Sequence, residues 1–276
     1  MKIRLLFFLC CMSFTIMASA QASGGQIRRT TPRQHHNPNI KVTPSHNKQN
    51  NEVMLSQAPP KTYTVREMFE MGQSFYDKGN YTEAMNWYRK AAENGSSDAQ
   101  SELGFMYLNG EGTPINKSEG AKWLIKASEN GDAMAQRALG YMYKDGDGVP
   151  QNISESNKWL GKASYQFYEA GRKNMKTDGQ IAIQFFNWVY EMRQKPYDVW
   201  SLFHIGEIYY YAEGGVHADF KEAVKYFKAA SDMGNNVAMY YMGICYEFGR
   251  SVPKDSNMAK QYYSKSGYTS LPSRNF

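Results

Sequence analysis

The feature that most constrains this chain is an internal repeat with a period of about 36 residues. Its first landmark is an apolar residue followed by a glycine, with an aromatic residue three positions after the glycine. The copies of this landmark are Met71, Gly72 and Phe75; Leu103, Gly104 and Tyr107; Leu139, Gly140 and Tyr143; Ile205, Gly206 and Tyr209; and Met242, Gly243 and Tyr246. Repetition at this period predicts a stack of similar supersecondary units.

A second landmark follows the first in each copy. It is an aromatic residue with one small residue three positions before it and another four positions after it. The aromatic residues are Trp87, Trp123, Trp159, Tyr226 and Tyr262. Residues three and four apart share one helical face, where small side chains let a neighbouring helix approach and the ring fills the space between them. Each repeat is therefore predicted to be a pair of antiparallel helices.

Glycines mark the predicted ends of these helices. Gly95, Gly131 and Gly234 each lie eight residues after a second-landmark ring, where a glycine in the left-handed conformation can end a helix. Turns between the two helices of a repeat are predicted at the segments 109–114, 145–150, 212–217 and 248–253. The sequence thus predicts an all-α fold, a solenoid of helix pairs.

These motifs resemble the Sel-1-like repeat, a relative of the tetratricopeptide repeat. The resemblance is clearest in LGFMYLNGEGTPINKSEGAKWLIKASENGDAMAQ and LGYMYKDGDGVPQNISESNKWLGKASYQ. It implies a right-handed superhelical solenoid with six repeats over residues 63–267. Residues 168–198 are predicted to form a degenerate fourth repeat. There Ala182 and Phe185 keep part of the second landmark, but no pair of Leu and Gly precedes them at the right distance.

Residues 1–20 have the pattern of a secretory signal peptide. A basic start precedes an apolar run from Leu5 to Met17, and small residues follow it. As a helix this run is about 20 Å long, which is shorter than the hydrocarbon layer of a bilayer. We therefore expect cleavage after Ala20, no membrane span in the mature chain, and a periplasmic or secreted protein.

Residues 21–62 are poor in large apolar side chains and rich in Gln, Asn, Pro, Ser and Thr, which predicts a disordered basic linker. The first 62 residues carry a net charge of +7, and the whole chain carries +6. The net charge of the remaining residues is therefore close to zero. This distribution does not favour nucleic-acid binding, whereas weak contact between the linker and an anionic surface stays open. His35, His36 and His46 have no neighbouring Cys or paired acids, so no metal site is predicted.

No motif predicts a catalytic site or a cofactor. The glycine-rich turns follow helices and lack the Lys-Ser or Lys-Thr of a phosphate-binding loop. A structural role is predicted for His204, which lies on the first helix of the fifth repeat, and an inert, packed thiol for Cys245. Some relatives are rich in cysteine and are linked to penicillin-like compounds, but this chain lacks their cysteines. That activity therefore gains no support.

The first helices of stacked pairs line a concave groove in which such folds bind partners. The resemblance to tetratricopeptide units implies which positions of these helices point into the groove. The predicted partner-binding residues are Trp200, Phe203, Glu207, Tyr210, Tyr211, Tyr240 and Phe248 in the last two repeats, and Phe105, Arg137 and Tyr141 in repeats two and three. This set suits an extended or helical peptide. The alternative is that the rings pack against a closing helix or against residues 268–276.

The sequence as a whole predicts a non-enzymatic scaffold that binds a protein or peptide in the cell envelope or outside the cell. Two alternatives stay open. One is an envelope hydrolase, which an acidic cluster or His204 in a deep pocket would favour. The other is a structural protein held at a wall or membrane by its basic linker.

Overall fold

The computed structural model describes residues 62–270. The predicted signal peptide, its cleavage site, nearly all of the predicted linker and residues 271–276 lie outside the described residues. All regular structure within 62–270 is helical, which confirms the all-α prediction. The α-helices are α1 (Val65–Asp77), α2 (Tyr81–Glu93), α3 (Ser97–Asn109), α4 (Lys117–Glu129), α5 (Ala133–Asp145), α6 (Ile153–Asn174), α7 (Gly179–Met192), α8 (Tyr197–Tyr211), α9 (Phe220–Asp232), α10 (Asn236–Phe248) and α11 (Ser256–Ser266), with a 3₁₀ turn at Glu213–Gly215.

Helices that are adjacent along the chain pack against one another, so the described residues form a solenoid of helix pairs. The first-landmark glycines lie where the two helices of a pair come closest. A Cβ atom on Gly104 would lie 2.8 Å from Cγ of Leu124, and one on Gly140 would lie 2.6 Å from Cγ of Leu160. Any side chain at these positions would therefore push the pair apart.

The residue that fills this gap differs from the prediction. It is the residue directly after the second-landmark ring, as in Leu124 or in Phe227, which packs on Gly206. The landmark ring itself lies beside the aromatic residue of the first landmark, and Tyr209 stacks on Tyr226 with 6.1 Å between ring centres. In the fifth repeat the landmark ring therefore packs beside the first-landmark ring, and the residue after it occupies the space next to the glycine.

The second helix of each pair starts with a side-chain cap. Asn116 Oδ1 accepts a hydrogen bond from the backbone N–H of Glu119 at 3.0 Å, and Asn80 and Asn152 cap α2 and α6 in the same way. In α7, α9 and α11 the cap is an aspartate. The three asparagines also begin N-x-S/T sequons in the sequence. Their role as helix N-caps explains why an asparagine occurs at each of these three positions.

The fourth repeat, predicted to be degenerate in sequence, nevertheless folds as a pair of helices that pack on each other. Its first helix is the second half of α6, which runs for 22 residues without a break. Gly171 takes the place of the landmark glycine, since a Cβ atom there would lie 2.6 Å from Cε1 of Phe186 on α7. The other glycine stops lie eight residues after a landmark ring. The position eight after Trp159 holds Phe167, which is buried and allows the helix to continue.

The predicted helix stops are confirmed where the glycine is present. Gly95, Gly131 and Gly234 have φ angles of 90°, 93° and 94°, in the region that other residues rarely adopt.

Among the described residues no helix is long and apolar enough to cross a membrane.

Candidate partner-binding surface

Four of the ten predicted groove residues have buried side chains, so they do not line an open surface in this structure. Phe203 is 1% exposed and packs between Phe227 and Tyr241, with ring centres 5.8 and 5.5 Å away. Phe105, Glu207 and Tyr210 are also buried. The rule from tetratricopeptide units placed these four residues toward a partner. In this chain large neighbouring rings enclose Phe203, which therefore belongs to the core.

Glu207 is part of a buried polar chain with His204 and Tyr168. Its Oε2 atom lies 2.8 Å from Nδ1 of His204, and the His204 Nε2 atom lies 3.0 Å from the Tyr168 hydroxyl. An ionised carboxylate only accepts, so in the neutral imidazole Nδ1–H donates to Glu207 and Nε2 accepts from Tyr168. Burial raises the pKa of Tyr168 to about 12, which keeps the hydroxyl proton in place.

His204 has the structural role predicted from the sequence. Both of its ring nitrogens have partners, and its ring stacks on Phe186 with 5.3 Å between centres. The chain of hydrogen bonds joins α6, in the fourth repeat, to α8, in the fifth. A hydrolase would need this imidazole to face a substrate cavity, whereas here it lies among the rings of Phe186, Trp200 and Phe203.

Arg137 and Tyr141 are partly covered by another part of the chain. Arg137 Nη2 donates to Oε2 of Glu191 at 3.1 Å, and its guanidinium carbon lies 5.4 Å from the ring centre of Trp188. Glu191 and Trp188 are on α7, which follows the uninterrupted helix α6. Residues near the end of α7 therefore cover part of the Arg137 side chain, which was predicted to face a partner.

Trp200 and Tyr240 are half-buried. The Trp200 ring meets Phe203 edge-on, with 5.7 Å between centres. Tyr240 packs on Tyr263 of the last helix and on Tyr268, at 4.9 and 6.4 Å. Tyr268 is the first residue of the predicted C-terminal tail. At Tyr240 the structure thus shows the packing alternative, with a closing helix and the start of the tail against the ring.

Two predicted residues, Tyr211 and Phe248, are exposed, and they lie at one edge of the last two repeats. Tyr211 is 37% exposed and Phe248 is 63% exposed. The Tyr211 ring meets Tyr210 edge-on at 4.9 Å, and Tyr210 in turn meets Phe220, which begins α9 and is also exposed. Tyr211 and Phe220 are thus exposed on either side of the buried ring of Tyr210.

Arg250 lies beside these rings and was not predicted from the sequence. Its guanidinium carbon lies 5.0, 5.4 and 5.6 Å from the ring centres of Tyr210, Phe220 and Phe248. We call these five residues the Arg250 patch; they are Tyr210, Tyr211, Phe220, Phe248 and Arg250. An arginine flanked by aromatic rings at a protein surface is a typical centre of partner recognition.

A signal for Arg250 is present in the repeat alignment. It lies seven residues after the landmark Gly243, and the same position is acidic in other repeats, as Glu111, Asp147 and Glu213. The reversal of charge in the sixth repeat distinguishes this turn from the others. Landmark residues alone do not reveal it, because the position lies in a turn outside both landmarks.

Two further predictions concern chemistry. Cys245 is fully buried, which confirms the prediction of a packed cysteine, and burial raises the pKa of its thiol to about 12. Within residues 62–270 no three His, Cys, Asp or Glu side chains are grouped so that they could hold a metal ion. His35, His36 and His46 lie outside this range.

The arrangement of stacked helix pairs, each closed around a glycine, defines a helical-repeat solenoid. The Sel1 repeat matches residues 67–96, 97–132, 133–166, 201–235 and 236–268, more than half of the chain. The chain therefore belongs to the Sel1 repeat family. The unmatched stretch between 166 and 201 contains the second half of α6 and all of α7.

Parts of this sequence are similar to other named proteins. The HRD3A component of an ERAD-associated E3 ubiquitin-protein ligase from Arabidopsis thaliana is 37% identical over 62 residues, which are 22% of this chain and 9% of that protein. HcpE of Helicobacter pylori strain J99, by name a candidate beta-lactamase, is 39% identical over 46 residues, or 17% of this chain and 13% of its own length. The chain thus matches only about a tenth of these relatives.

Among solved structures, a Sel1 repeat protein from Oxalobacter formigenes is 27% identical and has a TM-score of 0.40. The alignment covers 72% of this chain and 84% of that one. The protective antigen c5321 of uropathogenic Escherichia coli is also 27% identical, with a TM-score of 0.40 and coverage of 74% and 46%.

Proposed function

We propose that this protein is a non-enzymatic scaffold that binds another protein or a peptide through the exposed aromatic surface of its last two repeats. The observation that carries the proposal is the exposure of Phe248, Phe220 and Tyr211 beside one another. Soluble domains rarely leave several neighbouring aromatic rings in water, since burying each one in an interface removes a large apolar area.

The family supports this proposal. Proteins built from Sel1 repeats typically mediate protein–protein interactions. The HRD3A relative is named as a component of an ERAD-associated E3 ubiquitin-protein ligase. The proposed binding surface is smaller than the groove predicted from the sequence. Phe203, Glu207 and Tyr210 are buried, and α7 partly covers Arg137. The exposed end of the groove, with Tyr211 and Phe248, keeps its proposed role.

We further propose that the protein works in the cell envelope or outside the cell. The support is the sequence pattern of residues 1–20, with its basic start, apolar run and small residues before the expected cleavage after Ala20. Cell fractionation followed by N-terminal sequencing tests this part. A mature chain that begins at Gln21 is the expected result, and an uncleaved chain in the cytoplasmic fraction contradicts it.

Site-specific photo-crosslinking tests the binding function. A benzoyl-phenylalanine residue is placed at position 248 or 211 of the full chain, and the cells are irradiated. We expect the same defined protein adduct from both positions, because both side chains lie on one surface.

The matched control places the crosslinker at Ile153, which is 54% exposed and lies at the start of α6. Adducts found at 248 and 211 but absent at 153 support the proposal. The same adducts at all three positions, or none at any of them, contradict it.

A further inference from the structure

We infer that the Arg250 patch recognises a carboxylate that is followed or preceded by an apolar side chain in a partner protein. This inference rests on the proposed scaffold function and specifies the chemistry of its partner. The guanidinium of Arg250 would bind the carboxylate, and the exposed rings of Phe248 and Phe220 would cover the apolar side chain.

The first argument is the environment of the guanidinium. Three ring centres lie within 5.6 Å of its carbon atom and exclude part of the surrounding water. A charge with less water around it interacts more strongly with an opposite charge. The planar fork of N–H donors matches the two oxygens of a carboxylate, which can accept two parallel hydrogen bonds.

The second argument is that this charge has no counter-ion in residues 62–270. Arg250 makes no ion pair and no side-chain hydrogen bond with any residue in that range, and its guanidinium lies against rings. Its backbone N–H closes the end of α10 by donating to the carbonyl of Cys245 at 2.9 Å. The backbone at Arg250 is therefore fixed, and the charge of its side chain is not balanced within residues 62–270.

The third argument comes from the equivalent turns of the second and third repeats, where the same position has a polar partner in the preceding repeat. Oε2 of Glu111 accepts from the Tyr76 hydroxyl at 2.9 Å. Asp147 pairs with Lys117, with 2.8 Å between Oδ1 and Nζ. In these turns the charged group joins two repeats. Arg250 meets the preceding repeat only through the rings of Tyr210 and Phe220, so its donors are available to another molecule.

The turn itself differs in a second residue. Eight residues after the landmark glycine, the second and third repeats have Gly112 and Gly148, with φ of 73° and 76°. The sixth repeat has Ser251 there, with φ of 54°. Residues other than glycine adopt this backbone region at a cost, and such residues are concentrated at functional sites.

The composition of the patch favours a carboxylate over a phosphate group. Phosphorylated motifs are bound by clusters of arginines, whereas rings supply the other side chains of the Arg250 patch. An acidic residue next to Leu, Phe or Trp would satisfy both the charge and the exposed aromatic surface. The inferred partner is therefore an acidic and apolar peptide segment.

Peptide selection tests this inference. A phage-displayed library of random 12-residue peptides is selected on the full chain, and the enriched peptides are synthesised. Their affinities are measured by fluorescence anisotropy against the wild type, Arg250→Gln and Arg66→Gln. Arg66 lies on α1 and is 82% exposed, so the control makes the same change in net charge far from the patch.

We expect Asp or Glu beside an apolar residue in the enriched peptides. Arg250→Gln should weaken their binding at least about tenfold, since a charge-assisted pair in a hydrophobic surround is lost. Replacing the peptide's acid by its amide should give a similar loss, and the two losses should not add. Arg66→Gln should change the affinity by less than about twofold. Phe248→Ser, which removes an exposed ring, provides a second variant without a change of charge.

Peptides that bind equally well to wild type and Arg250→Gln would overturn the Arg250 site and leave the scaffold function standing. The same holds for enriched peptides that contain no acid. A selection that yields no binding peptide at all would count against both the inferred site and the proposed function.

Discussion

Gly171 and Phe186 lie in such close contact that a methyl group added to the glycine would be 2.6 Å from a carbon of the ring. We predict that Gly171→Ala lowers the free energy of unfolding by about 1 to 3 kcal/mol, because overpacking forces the two helices apart. Urea unfolding followed by circular dichroism measures the change.

Gly161→Ala is the matched control, since Gly161 lies on the same helix and a Cβ atom there would meet nothing within 4 Å. Alanine is favoured over glycine inside a helix by roughly 1 kcal/mol, so this variant should be more stable than the wild type. If both substitutions stabilise the protein, Gly171 is not the landmark glycine of a fourth repeat.

A second prediction concerns the buried hydrogen bonds around His204. Tyr168→Phe removes only the hydroxyl and leaves Nε2 of His204 without its partner at 3.0 Å. The expected loss of stability is about 1 to 2 kcal/mol, the cost of an unsatisfied buried polar atom. Tyr165→Phe, on the same helix at a tyrosine that is 53% exposed, should change stability by less than about 0.5 kcal/mol. Equal effects of the two variants would argue against the hydrogen bond.

Stability should fall at alkaline pH because of Cys245. Burial raises the pKa of its thiol from 9.0 to about 12. Below pH 9 the thiol is protonated in both states and the full stability is present. Above pH 9 only the unfolded chain ionises, so the free energy of unfolding falls as the pH rises toward the folded value.

Between pH 9 and 10 this contribution should be about 1 kcal/mol, and it is measured by urea unfolding at each pH. Cys245→Ala serves as the comparison. It lowers stability at every pH by leaving a small cavity, but the decline between pH 9 and 10 should be shallower than in the wild type. Parallel declines in the two proteins would contradict the assignment.

The caps of the second helices give a fourth prediction. Asn116→Ala should destabilise the protein by about 1 kcal/mol, since the N–H of Glu119 loses its acceptor. Asn116→Asp should retain the stability because aspartate is an equally good cap. Ser118→Ala removes the same sequon and leaves the cap intact, so it should have little effect on thermal unfolding. A similar loss in Ser118→Ala would instead connect the motif with glycosylation.

The helix pairs could be predicted from the sequence because spacing alone determines which residues share a helical face. Where the period is kept, the landmark glycine contacts the residue that follows the second-landmark ring. Gly104 and Leu124 are one such pair in the structure. The fourth repeat was predicted only as a degenerate copy, because its glycine, Gly171, lies inside one long helix and has Ala170 before it in place of a large apolar residue. The missing stop at Phe167 was visible in the sequence and indicates the continuous helix.

The binding surface was harder to predict because exposure depends on which neighbours enclose a residue. The resemblance to tetratricopeptide units predicts that both Phe203 and Phe248 point into the groove. Phe203 is in the core, whereas Phe248 is exposed to solvent. Phe203 is surrounded by rings of its own and the next repeat, while Phe248 lies at the end of α10, near the end of the stack. Spacing along the chain contains no record of these contacts.

The unbroken helix α6 also affects how the protein unfolds. In repeat arrays each unit is held mainly by its neighbours, so units separate one by one from the ends. The third and fourth repeats cannot separate in this way, because parting them would require breaking a helix in its middle. The terminal helices α1 and α11 bury few residues. Amide hydrogens should therefore exchange first at the two ends of the array and last along α6, whose continuity makes the middle repeats a single cooperative unit.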